Sequence, residues 1–211
     1  MSFLRPTLIY HITHVENLAS IASSGGINSC RLLRSSDANY TDVAHQSIQD
    51  RRNVVVVPCA QGGTLHDYVP FYFAPRSPML YTISRGNVAS CPDQTAILHL
   101  VTSVQLVAES GRPFAFTDGH GIMVLTEFFD DLTMLPRIDW PLMEARYWFD
   151  TAEDSDRKRR RQAEFLVHER CPWDIIQEIG VQNRSMESRV HAIVELLEHK
   201  PEVNVRPGWY Y

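Results

Sequence analysis

The sequence predicts an α+β fold. Short apolar segments rich in β-branched and aromatic residues, which are typical of strands, recur from residue 9 to residue 206. Segments with helical spacing of apolar residues lie between them, without the regular alternation that builds a doubly wound parallel sheet. The chain lacks a G-x-G-x-x-G or Walker motif, which excludes the usual nucleotide-binding α/β folds.

Length and composition predict one soluble domain over residues 1–211. A chain of 211 residues buries roughly 70% of its unfolded surface, enough for one good core. Hydrophobic residues make up 44% and charged residues 21% of the chain, and no apolar run approaches the roughly 20 residues that span a bilayer. Residues 1–10 lack the layout of a secretory signal, so the expected location is the cytoplasm.

The cysteines and histidines give no sign of a metal site. The four cysteines lie far apart with no C-x-x-C pair, so we expect free, reduced thiols. No H-E-x-x-H or comparable ligand spacing occurs, and we expect no bound metal.

The chain opens with a strand, a helix and a glycine turn. Residues 9–14 alternate apolar and polar side chains and predict a strand with His11 and Thr13 on one face. Residues 15–22 have helical spacing, and Gly25 with Gly26 ends that helix. Taken alone, His11 is more often a half-buried structural histidine than a ligand contact.

Two arginines and two tyrosines stand out in the next part of the chain. Residues 44–52 predict a polar helix ending in Arg51 and Arg52, whose planar donors suit a phosphate or a carboxylate, although a surface helix is the common alternative. Residues 69–73 predict an aromatic strand, and residues 79–83 open a helix. Tyr72 and Tyr81 would either stack on a flat ligand ring or belong to the core.

Further elements complete the predicted fold. Residues 96–101 and 114–118 predict strands, with a helix over 104–111 between them. The second strand leads to a Gly-His-Gly turn, in which His120 is free to approach a ligand or to form a loop tip. Residues 128–147 are helical or irregular, interrupted at Trp140 and Pro141. A strand over 175–181, a helix over 187–197 and a strand over 203–206 follow.

A run of five cations, residues 157–161, gives the strongest functional indication. Glu164 follows it, and the apolar residues 165–167 after Glu164 predict a buried strand. A carboxylate at the mouth of such a strand is partly desolvated yet reachable, which suits an acid or a base. In a chain of formal net charge -5 the cations would draw any polyanion to this place. A solvated loop beside an ordinary glutamate is the alternative, and composition alone favours it.

Six segments, taken together, resemble the DarT family of bacterial toxins, which ADP-ribosylate a base of single-stranded DNA. They are YHITH (residues 10–14), QDRRN (49–53), LHDYVPFYF (65–73), RSPMLY (76–81), FTDGHG (116–121) and KRRRQAEFLV (158–167), and the terminal WYY (209–211) fits as well. The segments span nearly the whole chain in family order, so the match is far more specific than any one motif.

The resemblance implies an ADP-ribosyltransferase fold, which is a split mixed β-sheet with surrounding helices and NAD in its cleft. It implies that Glu164 is the catalytic glutamate and Arg52 the catalytic arginine. The NAD-binding residues that it implies are His11, Thr13, Gly26, Arg52, Tyr72, Tyr81 and His120, with one of the two tyrosines against the nicotinamide ring.

The chemistry of such a transfer suits Glu164. Breaking the bond from ribose to nicotinamide passes through an oxocarbenium-like state, which a nearby carboxylate stabilises. The same carboxylate could also accept the proton of the attacking base, a role worth typically ~10²–10⁴-fold. We expect Glu164→Ala to abolish transfer with little loss of stability, because a partly exposed carboxylate contributes little to the fold.

The resemblance also implies the partners. Single-stranded DNA would be the acceptor, modified on a thymine or guanine base, and a DarG-like macrodomain antitoxin would remove the modification. Cations suit a flexible nucleic-acid backbone and aromatic rings suit a splayed base. The DNA-binding residues would be Arg51, Arg146, Tyr147, Trp148, Lys158, Arg159 and Arg160.

Two other functions stay open at this point. A basic loop does not distinguish nucleic acids, so the same fold and cofactor would serve an RNA or a protein acceptor. A non-catalytic nucleic-acid-binding module, with Glu164 only structural, would show salt-sensitive DNA binding without NAD cleavage.

Overall fold

The computed structural model describes residues 6–36, 40–41, 43, 46–88, 91 and 93–211. Its strands are β1 (Leu8–His14), β2 (Gly26–Asn28), β3 (Tyr68–Tyr72), β4 (Ile97–Ser103), β5 (Phe114–Thr117), β6 (Phe128–Phe129), β7 (Glu164–His168), β8 (Arg170–Pro172), β9 (Glu178–Val181) and β10 (Glu202–Val205). Its α-helices are α1 (Leu18–Ser23), α2 (Cys30–Ser35), α3 (Gln46–Arg52), α4 (Pro78–Ser84), α5 (Val104–Glu109), α6 (Trp140–Glu144), α7 (Arg157–Arg160) and α8 (Arg184–Val194). Short 3-10 segments are Val15–Asn17, Leu65–Asp67, Gln94–Ala96, Leu132–Arg137, Trp173–Ile175 and Pro207–Trp209.

Eight strands form one mixed sheet, in the order β10-β9-β4-β1-β3-β7-β5-β6. β9 and β10 pair in parallel, whereas the other neighbours in this sheet pair antiparallel. The strands that pair are often distant in the chain, so no regular βαβ alternation arises. The α+β fold class is confirmed.

The sheet is split between β1 and β3. Seven residue pairs join β1 to β4, and five join β3 to β7. A single pair, Tyr10 with Tyr72, joins β1 to β3. The two half-sheets therefore meet at one point and diverge from it, which confirms the split arrangement that the resemblance implies.

The apolar start of β7 lies in the centre of the core. Phe165, Leu166 and Val167 are each 0% exposed, as expected of the predicted buried strand. The ring of Phe165 stacks on Phe114 at 5.1 Å and on Phe116 at 6.3 Å between centroids. Because three successive residues are fixed by packing, the residue that begins the strand has little freedom to move.

Three local predictions differ from the structure or fall outside it. Trp140 and Pro141 begin α6 instead of interrupting a helix, since Asp139 accepts the Leu142 N–H and proline is favourable in a first turn. The strand predicted over residues 175–181 begins only at Glu178, after a 3-10 turn. Residues 44–45 of the predicted helix 44–52 lie outside the described residues.

A small second sheet, which the sequence analysis did not predict, pairs β2 with β8. Gly26 begins β2 and faces Pro172 in register. Its φ is +147°, and an added Cβ would lie 2.1 Å from the Cys171 carbonyl oxygen. Glycine is required here both by the backbone conformation and by the close approach of the two strands.

Among the described residues, no helix is both long enough and apolar enough to cross a bilayer.

We expect Gly26→Ala to lower the melting temperature measured by circular dichroism. The strained φ costs about 1–3 kcal/mol, and the contact with the Cys171 carbonyl forces β2 away from β8. Gly62→Ala is the matched control, because Gly62 has a φ of +68° but nothing within 4 Å of an added Cβ. Equal losses in the two variants would contradict the close approach as the cause.

Candidate active site

A cleft of about 590 Å³ opens where the two half-sheets separate. Residues of β1 line one side and residues of β3 and β7 the other, and helices α1 to α4 complete the wall. Sequence positions from 11 to 164 meet in this one place. The predicted site residues that line it are His11, Thr13, Gly26, Arg52, Tyr72, His120 and Glu164.

The centre of the cleft is a buried ion pair. Arg52 Nη1 donates a hydrogen bond to Glu164 Oε2 at 2.7 Å. Arg52 is the last residue of α3 and Glu164 the first of β7, so a helix end and a strand end bring the two charges together. Arg52 Nη2 is also buried and has no hydrogen-bond partner among the described residues. This unpaired donor suits an anionic or carbonyl oxygen in the cleft.

Glu164 is 3% exposed, so the partial exposure expected from the sequence is wrong. Burial raises the pKa of its carboxyl, but the charge of Arg52 and the hydrogen bond with His120 outweigh it and lower the pKa to about 2. The carboxylate is therefore ionised at neutral pH. Removing it would leave the Arg52 guanidinium buried without a counter-charge, a loss of about 3–5 kcal/mol. The expectation that Glu164→Ala leaves stability nearly intact no longer holds.

The loop after β5 closes over the Glu164 carboxylate. His120 Nδ1 lies 3.3 Å from Glu164 Oε1, and the Gly121 N–H donates to the same oxygen at 3.3 Å. Thr117 Oγ1 accepts the Glu164 N–H at 3.0 Å and donates to the Gly119 carbonyl at 2.7 Å. His120 thus belongs to the carboxylate site and is not a free loop tip.

The predicted face of β1 lines the opposite side of the cleft. His11 Nδ1 lies 2.8 Å from the Pro70 carbonyl oxygen, which fixes Nδ1 as the protonated donor. Burial lowers the pKa of His11, so the ring is neutral and Nε2 is left as an acceptor. Thr13 Oγ1 accepts a hydrogen bond from Asn17 Nδ2 at 3.1 Å.

Of the two candidate tyrosines, Tyr72 lines the cleft and Tyr81 does not. Tyr72 pairs in register with Glu164, and burial raises the pKa of its phenol, which stays neutral. Tyr81 lies on α4 and packs its ring against Trp148, Phe149 and Tyr211, at 5.8, 5.8 and 5.1 Å between centroids. These contacts favour Tyr72 over Tyr81 as the tyrosine of the cofactor site.

The basic run does not form the free positive surface that the sequence predicts. Arg159 forms ion pairs with Asp118 at 3.0 Å and with Asp156 at 2.7 Å. Arg160 pairs with Asp139 and Asp154. These ion pairs argue against a DNA contact by Arg159 and Arg160, because their donors already hold carboxylates of the same chain.

Lys158 and Arg161, on either side of Arg159 and Arg160, also have partners within the chain. Lys158 Nζ lies 3.6 Å from Asp150 Oδ2, although its side chain stays 53% exposed. Arg161 is buried and donates to the Leu142 carbonyl at 2.7 Å and to the Arg76 carbonyl at 2.9 Å. Among the predicted DNA contacts Lys158, Arg159 and Arg160, only Lys158 has a largely exposed side chain.

The remaining predicted DNA contacts differ in accessibility. Tyr147 is 73% exposed, and the Arg146 guanidinium lies 5.8 Å from its ring centroid. Arg51 of α3 is exposed and donates to the Ile122 carbonyl at 3.3 Å. Trp148, by contrast, is buried, stacks on Phe149 at 4.6 Å and donates its Nε1–H to Tyr211 Oη. The structure corrects the prediction that Trp148 is open to a base.

In the part of the chain that the structure describes, no three His, Cys, Asp or Glu side chains are grouped so that they could hold a metal ion.

Comparisons with known proteins show the family of the chain. Residues 10–211 match the family model described as "ssDNA thymidine ADP-ribosyltransferase, DarT". The chain belongs to the DarT family. A DNA ADP-ribosyl transferase of Thermus sp. (strain 2.9) is 43% identical to it over 214 residues, which cover 100% of this chain and 99% of the relative.

Solved structures of Thermus sp. 2.9 DarT have the same fold. The complex with ADP-ribosylated ssDNA has a TM-score of 0.91 at 41% identity and covers 100% of this chain and 99% of that chain. The complex with NAD+ has a TM-score of 0.87 at 40% identity and covers 100% of both chains. A DNA ADP-ribosyl transferase-DNA ADP-ribosyl glycohydrolase fusion protein of Thermosipho africanus is 26% identical over 184 residues, 86% of this chain and 44% of the fusion.

This member of the DarT family has cleft residues that the sequence analysis missed. Asn17 is 8% exposed and bonds both Thr13 Oγ1 and the backbone of Thr41. His66 is 2% exposed, with Nε2 at 3.1 Å from Gln49 Oε1. Gln162 lines the cleft two residues before Glu164. The spacing of two residues from Glu164 could have identified Gln162 as a cleft residue. Asn17 could not be identified in this way, because it resembled an ordinary helix residue.

The pH dependence of stability tests the ionised state of Glu164. Its pKa is about 2 in the folded chain and 4.5 as the ordinary value. A lowered folded pKa gives stability that is present above about pH 4.5 and is lost as the pH falls toward 2. We expect the difference in unfolding free energy between the wild type and Glu164→Gln, measured in urea, to be constant near neutral pH and to shrink across that window.

Glu127→Gln is the control for this measurement, because Glu127 is 54% exposed in its pair with Arg137. It should change stability little at any pH. A Glu164→Gln difference that stays constant down to the acid end would show that Glu164 is not an ionised partner of Arg52.

Proposed function

We propose that this chain transfers ADP-ribose from NAD to a base of single-stranded DNA and releases nicotinamide. The observation that carries the proposal is the buried Arg52–Glu164 pair, with His120 against the carboxylate, at the centre of the cleft. The membership in the DarT family supports it, as do the two Thermus complexes with NAD+ and with ADP-ribosylated ssDNA.

The cleft residues fit NAD as co-substrate. The unpaired Arg52 Nη2 is a buried donor for a phosphate or amide oxygen, and Gly26 leaves one wall without a side chain. His11 and Thr13 would hold ribose hydroxyl or amide groups, with His11 Nε2 as the acceptor. Tyr72 would pack against the nicotinamide ring, because its neutral phenol lies next to Glu164 in the sheet.

Glu164 would act through its charge. The bond from the ribose carbon to nicotinamide breaks, and nicotinamide leaves with the electron pair. A ring nitrogen of the base forms the new bond, and the proton that it carried passes to solvent water. The ribose carries positive charge during this exchange, and a fixed carboxylate stabilises it. Arg52, His120 and the Gly121 N–H hold that carboxylate in place.

The pKa of Glu164 bears on the proton that the base loses. An efficient general base has a pKa near the working pH, whereas the pKa of Glu164 is about 2. Glu164 is therefore a weak proton acceptor in the state that the structure shows. We assign to it the stabilisation of charge and not the second role that the sequence analysis considered.

Thymine is the acceptor base that we favour. The description of the matching family model specifies thymidine, and a thymine ring nitrogen must lose a proton to form the new bond. Guanine, RNA and protein are the other acceptors that the sequence left open, and they are separate outcomes of the assay below.

The proposed DNA contacts centre on an exposed arginine, Arg146. Arg146 lines a second cavity, of about 620 Å³, together with Arg76 and Arg161. None of the three forms an ion pair with a described residue. Arg161 is buried and already donates to backbone carbonyls, whereas Arg146 is exposed and suits a phosphate. Arg51, Tyr147 and Lys158 are the other exposed groups that we assign to the DNA.

We further propose a DarG-like macrodomain antitoxin as the second partner, with the chain acting in the cytoplasm. The Thermosipho africanus relative, which joins a DNA ADP-ribosyl transferase to a DNA ADP-ribosyl glycohydrolase, supports the pairing of these two activities. One sheet that contains both β1 and β10 supports a single domain over residues 1–211.

The reaction is tested by weighing the acceptor. Single-stranded oligonucleotides that lack thymine, lack guanine or contain both are incubated with NAD and analysed by mass spectrometry. We expect a gain of one ADP-ribose only where thymine is present, no gain with Glu164→Gln and a gain with the surface control Glu127→Gln.

Other outcomes of that experiment have distinct meanings. Modification of RNA or of a protein, but not of DNA, would replace the acceptor and keep the enzyme. Salt-sensitive DNA binding without any release of nicotinamide would support the binding module instead.

The phosphate contacts are tested through salt. We expect Arg146→Ala to weaken binding of a thymine-containing oligonucleotide and to lower the slope of log affinity against log salt by about 1, with NAD affinity unchanged. Arg137→Ala is the control, because Arg137 already pairs with Glu127. Fluorescence anisotropy over a salt series measures both slopes, and identical slopes would remove Arg146 from the DNA path.

A further inference from the structure

Arg159 joins two separate parts of the chain. Its Nε and Nη2 donate to Asp156 Oδ1 and Oδ2 at 2.8 and 2.7 Å, and its Nη1 donates to Asp118 Oδ1 at 3.0 Å. The side chain is 11% exposed. A planar guanidinium is suited to such a bridge, because its donors are fixed relative to one another.

The Asp118 side of this bridge is the loop that carries His120. The His120 N–H donates to the Arg159 carbonyl at 3.0 Å, and Thr126 Oγ1 donates to the His120 carbonyl at 2.8 Å. Arg159 Nη1 also donates to Thr126 Oγ1 at 3.4 Å. Main-chain and side-chain bonds of one arginine thus hold both ends of residues 118–126.

Gly119 of this loop lies directly against the Arg159 side chain. An added Cβ at Gly119 would lie 2.4 Å from Arg159 Nη1. The next two residues are His120 and Gly121, which contact Glu164 Oε1 at 3.3 Å each. A displacement of the arginine would therefore be transmitted to the carboxylate through one short stretch of backbone.

We propose that Arg159 is a positioning residue of the transfer reaction, which holds His120 and Gly121 against Glu164 through its bridge between Asp118 and Asp156. The inference rests on the proposed function. Arg159 touches neither NAD nor the acceptor in this role. Its positive charge is matched by two carboxylates, which leaves no surplus charge for a phosphate.

Arg160 offers a matched comparison on the same helix. Its ion pairs join Asp139 and Asp154, with Asp156 at 3.6 Å, and no ion pair or hydrogen bond of its side chain reaches residues 118–126. Arg159→Ala and Arg160→Ala each remove one cation from α7, so their effects on attraction of DNA should be alike. Their effects on Glu164 should differ.

We expect Arg159→Ala to lower kcat about 10–100-fold, since a displacement of about 1 Å at a reacting group costs up to about 10²-fold. The KM values for NAD and for the oligonucleotide should stay within about threefold. Arg160→Ala should keep kcat within about threefold of the wild type. A rise in the oligonucleotide KM that is equal in the two variants, with kcat intact, would overturn the proposal in favour of a DNA contact.

Asp118→Asn tests the bridge with almost no change in shape and stands in if Arg159→Ala fails to fold. It removes the charge at the loop end of the bridge and should reproduce the fall in kcat. In the double variant Arg159→Ala with Asp118→Asn, kcat should fall no further than in the single variants, because both substitutions break the same bridge. Losses that multiply would show that the two residues act separately.

The pH profile of kcat gives a readout that a purely structural defect would not move. The charged or titratable groups that face Glu164 are Arg52 of α3, Tyr72 of β3 and His120 of the loop. The contact with His120 helps to lower the pKa of Glu164, so a loosened loop should move the acid limb of kcat to higher pH in Arg159→Ala. An unmoved acid limb beside a lowered kcat would overturn the assignment.

Hydrogen exchange separates this inference from the proposed function. Arg159→Ala should speed exchange of the His120 and Gly121 amides, whereas Arg160→Ala should not, and this readout needs no activity. Faster exchange in a chain whose wild type modifies no acceptor would refute the proposed function and support the bridge. Unchanged exchange together with unchanged kcat would refute the bridge.

Discussion

The buried pair of Arg52 and Glu164 is the interaction on which the rest of the structure depends. Arg52 Nη1 and Glu164 Oε2 are 2.7 Å apart, while the two residues are 112 positions apart in the chain. Taking both charges out of water is unfavourable unless the geometry is good and further hydrogen bonds satisfy them. His120 and the Gly121 N–H supply those contacts to the Glu164 carboxylate, and Thr117 accepts the Glu164 backbone N–H. The buried residues that follow Glu164 in β7 keep its carboxylate from reaching solvent.

The split sheet provides the space beside this pair. Continuous pairing between β1 and β3 would close the gap in which His11, Thr13 and Tyr72 meet Glu164. With one pair of residues at the junction, the sheet leaves room for a cleft there, while apolar residues of both half-sheets share one core. His11 and Thr13, which we propose to hold NAD, therefore lie on one half-sheet in β1, and Glu164 lies on the other in β7.

The elements that packing dictates were predictable from the sequence, and so was the position of Glu164. The apolar residues 165–167 indicated a buried strand, and alternation in residues 9–14 placed His11 and Thr13 on one face, as observed. The extent of burial of Glu164 was not predictable, because it depends on Arg52 and the loop at His120, both distant in sequence. Cysteines predicted to be free are unpaired in the structure.

The errors have a common physical origin. Charges that are adjacent in sequence resemble a positive surface, but their partners, such as Asp118 and Asp139, come from other segments and cannot be recognised without the fold. The surroundings of Tyr81 and Trp148 were not predictable for the same reason, since the ring of Tyr211 packs against Tyr81 and its hydroxyl accepts the Trp148 Nε1–H. The requirement for glycine at position 26 comes from the small sheet, which pairs Gly26 with Pro172. Residues so far apart in sequence form no local pattern that could predict this pairing.

The ion pairs of α7 differ in their sensitivity to ionic strength. Salt screens exposed pairs such as that of Lys158 with Asp150 more strongly than the nearly buried pairs of Arg159. Raising the salt would therefore loosen the outer turn of α7 before it affects the residues that touch Glu164. The ion pairs of α7 thus range from exposed to nearly buried. A strongly charged polymer can approach the exposed pairs while the geometry around the Glu164 carboxylate stays fixed.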